Sequence, residues 1–170
     1  MKIIEMFSEA EIESRVSALA QEISMSYEGK ELCILCVLKG AAIFACDLMR
    51  KLTVPCRLDF IRAKSYDGDC STGKVDIDFS TCNSISGKHV LVVEDIVDTG
   101  RTLYELCGLL RQQSPASLKI CTFLDKECRR VVGFESDYVG FDIPDAFVVG
   151  YGLDYNERFR ELPFVAVLEL

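Results

Sequence analysis

Residues 92–102 carry the highest density of groups that could bind a charged ligand. An apolar run ends in two adjacent carboxylates, Glu94 and Asp95, and a third carboxylate, Asp98, follows two further apolar residues. Carboxylate oxygens accept hydrogen bonds, so this part of the segment could bind the hydroxyl groups of a sugar. The pattern therefore indicates recognition of a polar, sugar-containing ligand.

The second half of the segment is suited to a phosphate group. Gly100 allows backbone N–H groups to approach a ligand closely, and the hydroxyls of Thr99 and Thr102 add donors. A helix predicted to begin at Thr102 would present its N-terminus, which favours an anion. The segment is neither a Walker loop nor a GxGxxG fingerprint. A strand, an acidic turn and a capped helix would explain single residues, but the complete pattern favours a phosphate-binding turn.

Helical and strand patterns alternate along the chain and must position these groups. Ser8 with Glu11 predicts a capping box that opens a helix extending to about Tyr27. Leu32–Leu38 is almost entirely apolar, which is typical of a strand covered on both faces. Further helices are predicted over 41–52 and 102–113, and further strands near 57–64, 75–79, 90–93, 118–124, 147–151 and 165–168.

This alternation predicts an α/β fold in which a central, mostly parallel sheet is flanked by helices. A length of 170 residues fits one domain. We expect a single domain over 1–170, with a core of about 8–125 and a small hood contributed by the terminal parts of the chain, including about 133–170. Ligands of open α/β sheets bind beyond the carboxyl ends of the strands, where residues 94–102 would lie.

The composition argues against several other classes of protein. A net charge of −8 disfavours binding to nucleic acid or to anionic membranes. With His89 as the only histidine, Ser-His-Asp and Cys-His hydrolases and multi-histidine zinc sites are improbable. Cys33 and Cys36 are predicted to be small buried hydrophobic residues, which indicates a reducing, cytoplasmic compartment. No run of apolar residues is long enough for a membrane span, and the N-terminus lacks the apolar core of an export signal.

The complete segment 92–102 resembles the phosphoribosyl diphosphate-binding motif of the type I phosphoribosyltransferases. From about Leu35 to Leu168 the chain is similar to one branch of them, the hypoxanthine-guanine (6-oxopurine) phosphoribosyltransferases, whose motifs occur in the same order. The resemblance implies a purine salvage enzyme that uses phosphoribosyl diphosphate, a 6-oxopurine and Mg²⁺ to form IMP or GMP and diphosphate. It also implies a homodimer or a homotetramer.

The resemblance further implies a role for each matching position. A cis peptide between Leu38 and Lys39 would turn the backbone toward the diphosphate, and Ser65 and Tyr66 would begin a loop that closes over the site. Arg129 and Arg130 follow Lys126 where the family carries a basic residue near the diphosphate, and this role is assigned to Arg130 with an alignment that could shift by one position. The ligand contacts implied are Lys39, Gly40, Glu94, Asp95, Asp98, Thr99, Gly100, Arg101, Thr102 and Arg160 for phosphoribosyl diphosphate, Glu94, Asp95 and Asp154 for magnesium, and Lys126, Phe147, Val148 and Asp154 for the purine.

Four of these residues have distinct implied roles in the reaction. Asp98 is the best candidate for the base that removes the purine N7 proton. Lys126 would donate a hydrogen bond to the 6-oxo oxygen, Phe147 would stack on the base, and Val148 would offer backbone groups to its edge. A donor at position 126 needs an acceptor oxygen on the base, which disfavours adenine.

Three alternatives remain open at this stage. A regulatory protein could keep the fold and sense phosphoribosyl diphosphate while binding RNA or DNA, although the charge of −8 disfavours this. Another phosphoribosyltransferase could act on adenine, a pyrimidine or xanthine. A magnesium-dependent phosphohydrolase is the third, but the strand end lacks the usual DxD arrangement of a nucleophilic aspartate. The sequence does not rank hypoxanthine, guanine and xanthine.

Overall fold

The computed structural model describes residues 1–65, 75–78 and 83–169. Its helices are α1 (Glu9–Ser26), α2 (Ala42–Lys51) and α3 (Arg101–Arg111), and a 3₁₀ turn covers Glu127–Arg129. Its strands are β1 (Lys2–Phe7), β2 (Leu32–Leu38), β3 (Cys56–Ser65), β4 (Val75–Asp78), β5 (His89–Val97), β6 (Ser117–Asp125), β7 (Tyr138–Asp142), β8 (Val148–Val149) and β9 (Val165–Glu169).

A six-stranded sheet forms the centre of the fold, with the strand order β4-β3-β2-β5-β6-β7. Strands β3, β2, β5, β6 and β7 are parallel to their neighbours, and only the pairing of β4 with β3 is antiparallel. The predicted α/β fold with a mostly parallel sheet is therefore confirmed.

Helices cover both faces of this sheet, which explains the apolar run in β2. Ile34 belongs to the same buried cluster as Phe44 of α2, whereas Leu35 belongs to the cluster that contains Leu106 of α3. Because successive side chains of a strand point to opposite faces, both sets must be apolar. Cys33 and Cys36 are buried in these two clusters, as predicted. None of the described helices is long and apolar enough to cross a membrane.

The predicted capping box is confirmed at the start of α1. The Glu11 backbone N–H donates to Oγ of Ser8 at 3.3 Å, and the Ser8 backbone N–H donates to Oε2 of Glu11 at 2.8 Å. The two residues thus satisfy each other's free backbone donors. The helix that follows buries Ile12, Val16, Leu19 and Ile23 on one face.

A second, antiparallel sheet has the order β1-β9-β8 and brings the two ends of the chain together. The sequence pattern assigns about 133–170 to the hood, but β7 is the edge strand of the large sheet, so that boundary is wrong for Tyr138–Asp142. The strand escapes prediction because it is short and contains Gly140. A Cβ at this glycine would overlap the backbone carbonyl of Phe123, so close strand packing requires glycine here.

Strand β5 extends four residues beyond the apolar run predicted as 90–93. Its register with β6 continues through Glu94 opposite Thr122 and Val97 opposite Asp125. Backbone pairing with β6 therefore carries polar residues into the strand that side-chain pattern alone would assign to a loop. As a consequence, Glu94 and Asp95 are held by the sheet, and the turn begins at Asp98.

Candidate functional site

The site lies where three adjacent parallel strands end. Lys39 follows β2, Asp98 follows β5 and Lys126 follows β6, and these strands are neighbours in the sheet. Carboxyl ends of parallel strands meet at one edge, where their loops form a crevice. The Lys126 backbone N–H donates to the Val97 carbonyl at 2.9 Å, which joins the ends of β5 and β6 directly.

The turn after β5 leads directly into α3. Gly100 precedes the helix with φ 81°, in the left-handed region that glycine adopts without strain. It offers no side chain to cap the helix, and the Arg101 backbone N–H donates instead to Oγ1 of Thr99 at 3.4 Å. The turn and the end of β5 line a cavity of about 160 Å³ whose walls include Asp98, Thr99 and Thr102. Helix N-termini favour anions, so the turn side of this cavity could bind a phosphate, whereas Glu94, Asp95 and Asp98 line the rest.

Two adjacent carboxylates lie at the end of β5, where Glu94 is buried and Asp95 is half-buried. Burial raises the pKa of Glu94 well above its usual range, and the neighbouring charge of Asp95 raises it further. Burial also raises the pKa of Asp95, although hydrogen bonds and Arg160 partly oppose this effect. The Ile96 backbone N–H, for example, donates to Oδ1 of Asp95 at 2.7 Å. A cation or several hydroxyl donors bound here would favour the ionised carboxylates.

The loop after β2 lies directly against this carboxylate pair. The peptide between Leu38 and Lys39 is cis, as the family resemblance implied. A Cβ at Gly40 would overlap the Asp95 carboxylate, and a Cβ at Gly152 would overlap the Gly40 carbonyl. Gly152 also has φ +100°. Glycine at both positions therefore allows three backbone segments to stack beside the site.

The C-terminal loop adds a network of charges around Lys39 and Arg160, the two cations that the family resemblance assigns to the diphosphate. Lys39 Nζ lies 3.0 Å from Oε2 of Glu157, and Arg160 Nη2 lies 2.9 Å from Oδ1 of Asp154. Arg160 also donates to the Gly152 carbonyl at 2.7 Å. The hydrogen bond from Lys39 holds the pKa of Glu157 below its usual range. Sequence reasoning missed Glu157, although its spacing of three from both Asp154 and Arg160 was a usable signal.

Lys126 is a buried cation with a weak ion pair. Its residue is 8% exposed, and its Nζ lies 3.9 Å from Oδ1 of Asp145. Arg129 links the same aspartate to the β5 turn, since its Nε donates to Oδ1 of Asp98 at 3.0 Å and its Nη1 donates to Oδ2 of Asp145 at 3.3 Å. Sequence reasoning considered Arg129 only as the neighbour of Arg130 near the diphosphate, and it missed Asp145.

Arg130 points into the protein. Its guanidinium pairs with the Asp125 carboxylate and donates to the Asp98 carbonyl at 3.1 Å. A Cβ at Gly100 would meet its Cδ at 2.9 Å. The side chain therefore packs behind the turn that follows β5, and its predicted place near the diphosphate stays a prediction.

The remaining predicted site residues differ in exposure, and some of them lie outside the described residues. Phe147 is 49% exposed, and its ring meets Tyr155 edge-on at 5.7 Å between centroids, whereas Val148 is buried in β8. Arg101 is exposed at the first position of α3. Ser65 is the last residue of β3, but its side chain and the whole of Tyr66 lie outside the described residues.

Comparison with known proteins supports the family that the sequence motifs resemble. The phosphoribosyl transferase domain family matches residues 5–156. A hypoxanthine-guanine phosphoribosyltransferase of Streptococcus thermophilus is 41% identical over 165 residues, which cover 96% of this chain and 92% of that protein. The crystal structure of a Bacillus anthracis hypoxanthine-guanine phosphoribosyltransferase is 43% identical, has a TM-score of 0.94 and covers 99% of this chain and 100% of that one.

The parallel sheet and the phosphate turn after β5, together with the domain match, define a phosphoribosyltransferase. Within that class, the chain belongs to the hypoxanthine-guanine phosphoribosyltransferase family. A similar relative, the bifunctional protein TilS/HprT of Listeria innocua, is 42% identical over 165 residues, but these represent only 26% of its length. The chain thus spans about a quarter of the bifunctional relative.

Proposed function

We propose that this chain transfers ribose 5-phosphate from phosphoribosyl diphosphate to hypoxanthine or guanine, forming IMP or GMP and releasing diphosphate. The observation that carries the proposal is the meeting of a phosphate turn and a buried lysine at the ends of β5 and β6. An enzyme that joins a sugar phosphate to a 6-oxopurine must bind both partners, and these two features can bind the sugar phosphate and the base respectively. Membership of the family supports the same substrates.

The phosphoribosyl diphosphate would bind along the carboxyl edge of β5 and β2. Its 5-phosphate fits the turn 98–102 at the N-terminus of α3, and its ribose hydroxyls fit the carboxylates of Glu94 and Asp95. The diphosphate would lie against Lys39 and Gly40, where Arg160 supplies a second cation. These cations would stabilise the negative charge that develops on the departing diphosphate.

Magnesium fits a site of this kind through oxygen ligands alone. In the described part of the chain, no three Asp, Glu, His or Cys side chains converge as a metal site. Magnesium often retains water and binds substrate phosphates together with one or two carboxylates, so a complete protein cage is not required. We propose that Glu94, Asp95 and Asp154 face the ion, partly through water. When bound, the ion would neutralise charge on the diphosphate.

The purine would bind between the ends of β5 and β6. In the reaction, the bond from C1 of the ribose to diphosphate breaks, a bond from purine N9 to C1 forms, and the N7 proton passes to Asp98. Lys126 would donate to the 6-oxo oxygen and favour the purine as it loses its proton. Phe147 would stack on the base, and Val148 would contact its edge through the backbone.

The cellular compartment and the oligomeric assembly are proposed from the composition and from the family. The described cysteines, Cys33, Cys36, Cys46, Cys56, Cys107, Cys121 and Cys128, are all free. Free thiols are typical of a reducing compartment, so we place the enzyme in the cytoplasm. A homodimer or a homotetramer is the proposed assembly, and the net charge of −8 argues against nucleic acid as a partner.

Nucleotide formation tests the proposal. The purified chain is incubated with phosphoribosyl diphosphate, Mg²⁺ and one base at a time, and the products are separated by chromatography. We expect IMP from hypoxanthine or GMP from guanine, and little AMP from adenine. Absence of any 6-oxopurine nucleotide, or equal AMP formation, would contradict the proposed substrate class.

A further inference from the structure

Four charged side chains form an alternating chain across the purine side of the site. Lys126 Nζ lies 3.9 Å from Oδ1 of Asp145, whose Oδ2 accepts from Arg129 Nη1 at 3.3 Å. Arg129 Nε then donates to Oδ1 of Asp98 at 3.0 Å. This series of charged side chains connects the loops that follow three different strands, β5, β6 and β7. It therefore couples the side-chain positions of Lys126 and Asp98.

Lys126 and Asp98, at the two ends of this series of side chains, have complementary roles at one edge of the base. The 6-oxo oxygen and N7 are neighbouring groups of a 6-oxopurine, so a donor for one and an acceptor for the other must be held at a fixed separation. Misplacement of a reacting group by about 1 Å can reduce a rate by about 10²-fold. A mechanical link between Lys126 and Asp98 would restrict that error.

We propose that Arg129 and Asp145 are positioning residues that set the separation of the Lys126 ammonium and the Asp98 carboxylate for a 6-oxopurine. This inference rests on the proposed function. The planar guanidinium of Arg129 can direct separate N–H groups at two carboxylates, which the single ammonium of a lysine does less well.

The solvent exposure of these side chains distinguishes a positioning role from a role in folding stability. The side chains of Arg129, Asp98 and Asp145 are 47%, 43% and 55% exposed. Exposed ion pairs contribute little to folding, so their loss should barely affect thermal stability. A bound purine would exclude water and strengthen the same interactions, so their loss should appear mainly in turnover.

The test is a double-mutant cycle of Arg129→Ala and Asp98→Asn, followed by steady-state kinetics with hypoxanthine and phosphoribosyl diphosphate. We expect Arg129→Ala to lower both kcat and kcat/KM for hypoxanthine by about tenfold, with the KM for phosphoribosyl diphosphate changed less than about twofold. Once Asp98 is already Asn, adding Arg129→Ala should change kcat much less, because the base that Arg129 positions is gone. Asp145→Asn should lower kcat/KM for hypoxanthine as Arg129→Ala does.

Arg57→Ala is the matched control. Arg57 Nε donates to Oε1 of Glu31 at 2.7 Å, its side chain is 62% exposed, and it lies beside the start of β2, at the opposite edge of the sheet. Wild-type kinetics for Arg57→Ala are expected. The proposal is overturned if Arg129→Ala retains wild-type kcat/KM, or if it causes the same loss of kcat in both backgrounds. These results would leave the proposed function intact, whereas a wild-type protein without transferase activity would defeat the proposed function itself.

Discussion

Gly40 and Asp95 are packed so closely that a methyl group on Gly40 would overlap the Asp95 carboxylate. Gly40 lies in the loop after β2 and Asp95 lies in β5, so the two are far apart in sequence, yet they form one surface. The loop that follows β2 and the adjacent carboxylates Glu94 and Asp95 are therefore a single structural unit. A change on one side of this contact must displace the other.

Replacing Gly40 with Ala should disturb phosphoribosyl diphosphate binding. Overpacking usually costs about 1–3 kcal/mol, and the group that a Cβ at Gly40 would displace is the Asp95 carboxylate, which is a proposed contact of the ribose and of magnesium. We expect binding of phosphoribosyl diphosphate with Mg²⁺ to weaken by about tenfold in titration calorimetry. Gly108→Ala is the control, since a Cβ there meets no other atom within 4 Å. Unchanged affinity in Gly40→Ala would show that this contact is not needed.

Lys126→Met should reduce discrimination between 6-oxo and 6-amino purines. Methionine retains much of the side-chain volume but has no N–H donor. Loss of the hydrogen bond should cost about 1–3 kcal/mol with hypoxanthine. The ratio of kcat/KM for hypoxanthine to that for adenine measures the effect, and Lys51→Met on α2 is the control. A ratio equal to that of the wild type would remove Lys126 from base recognition.

Thiol labelling should separate the described cysteines into two groups. Cys46 and Cys128 are exposed, whereas burial raises the pKa of Cys36 to about 12 and that of Cys107 to about 11. Because the thiolate is the reactive form, an alkylating reagent at neutral pH should modify Cys46 and Cys128 rapidly and Cys36 and Cys107 slowly. Peptide mass spectrometry before and after denaturation measures this. Rapid labelling of Cys36 in the folded protein would contradict the packing of β2.

Local patterns in the sequence were sufficient to predict the elements that position the site. The apolar run of β2 and the Ser8–Glu11 capping box are determined by neighbouring residues, and both occur as predicted. The turn after β5 was also recognisable, because its carboxylates, glycine and threonines are adjacent in the chain. Such features need only short-range information.

Contacts between distant segments could not be obtained in the same way. Asp98 and Arg129 are 31 residues apart, and Arg129 and Asp145 are 16 apart. Their pairing depends on the side-by-side order of β5, β6 and β7. Arg129 and Arg130 are adjacent and chemically identical, yet Arg129 reaches the Asp98 carboxylate while Arg130 is buried against Asp125. The direction of a side chain from a 3₁₀ turn is not encoded in residue type.

The turnover of Asp98→Asn tests the central claim most directly, namely that this site removes a purine proton during transfer to the ribose. Asparagine retains the size of the side chain but cannot accept the N7 proton as a base. At saturating hypoxanthine, phosphoribosyl diphosphate and Mg²⁺, we predict that kcat falls by about 10²-fold or more, while the affinity for IMP changes little. A kcat within about threefold of the wild type would contradict the role of Asp98 as the base.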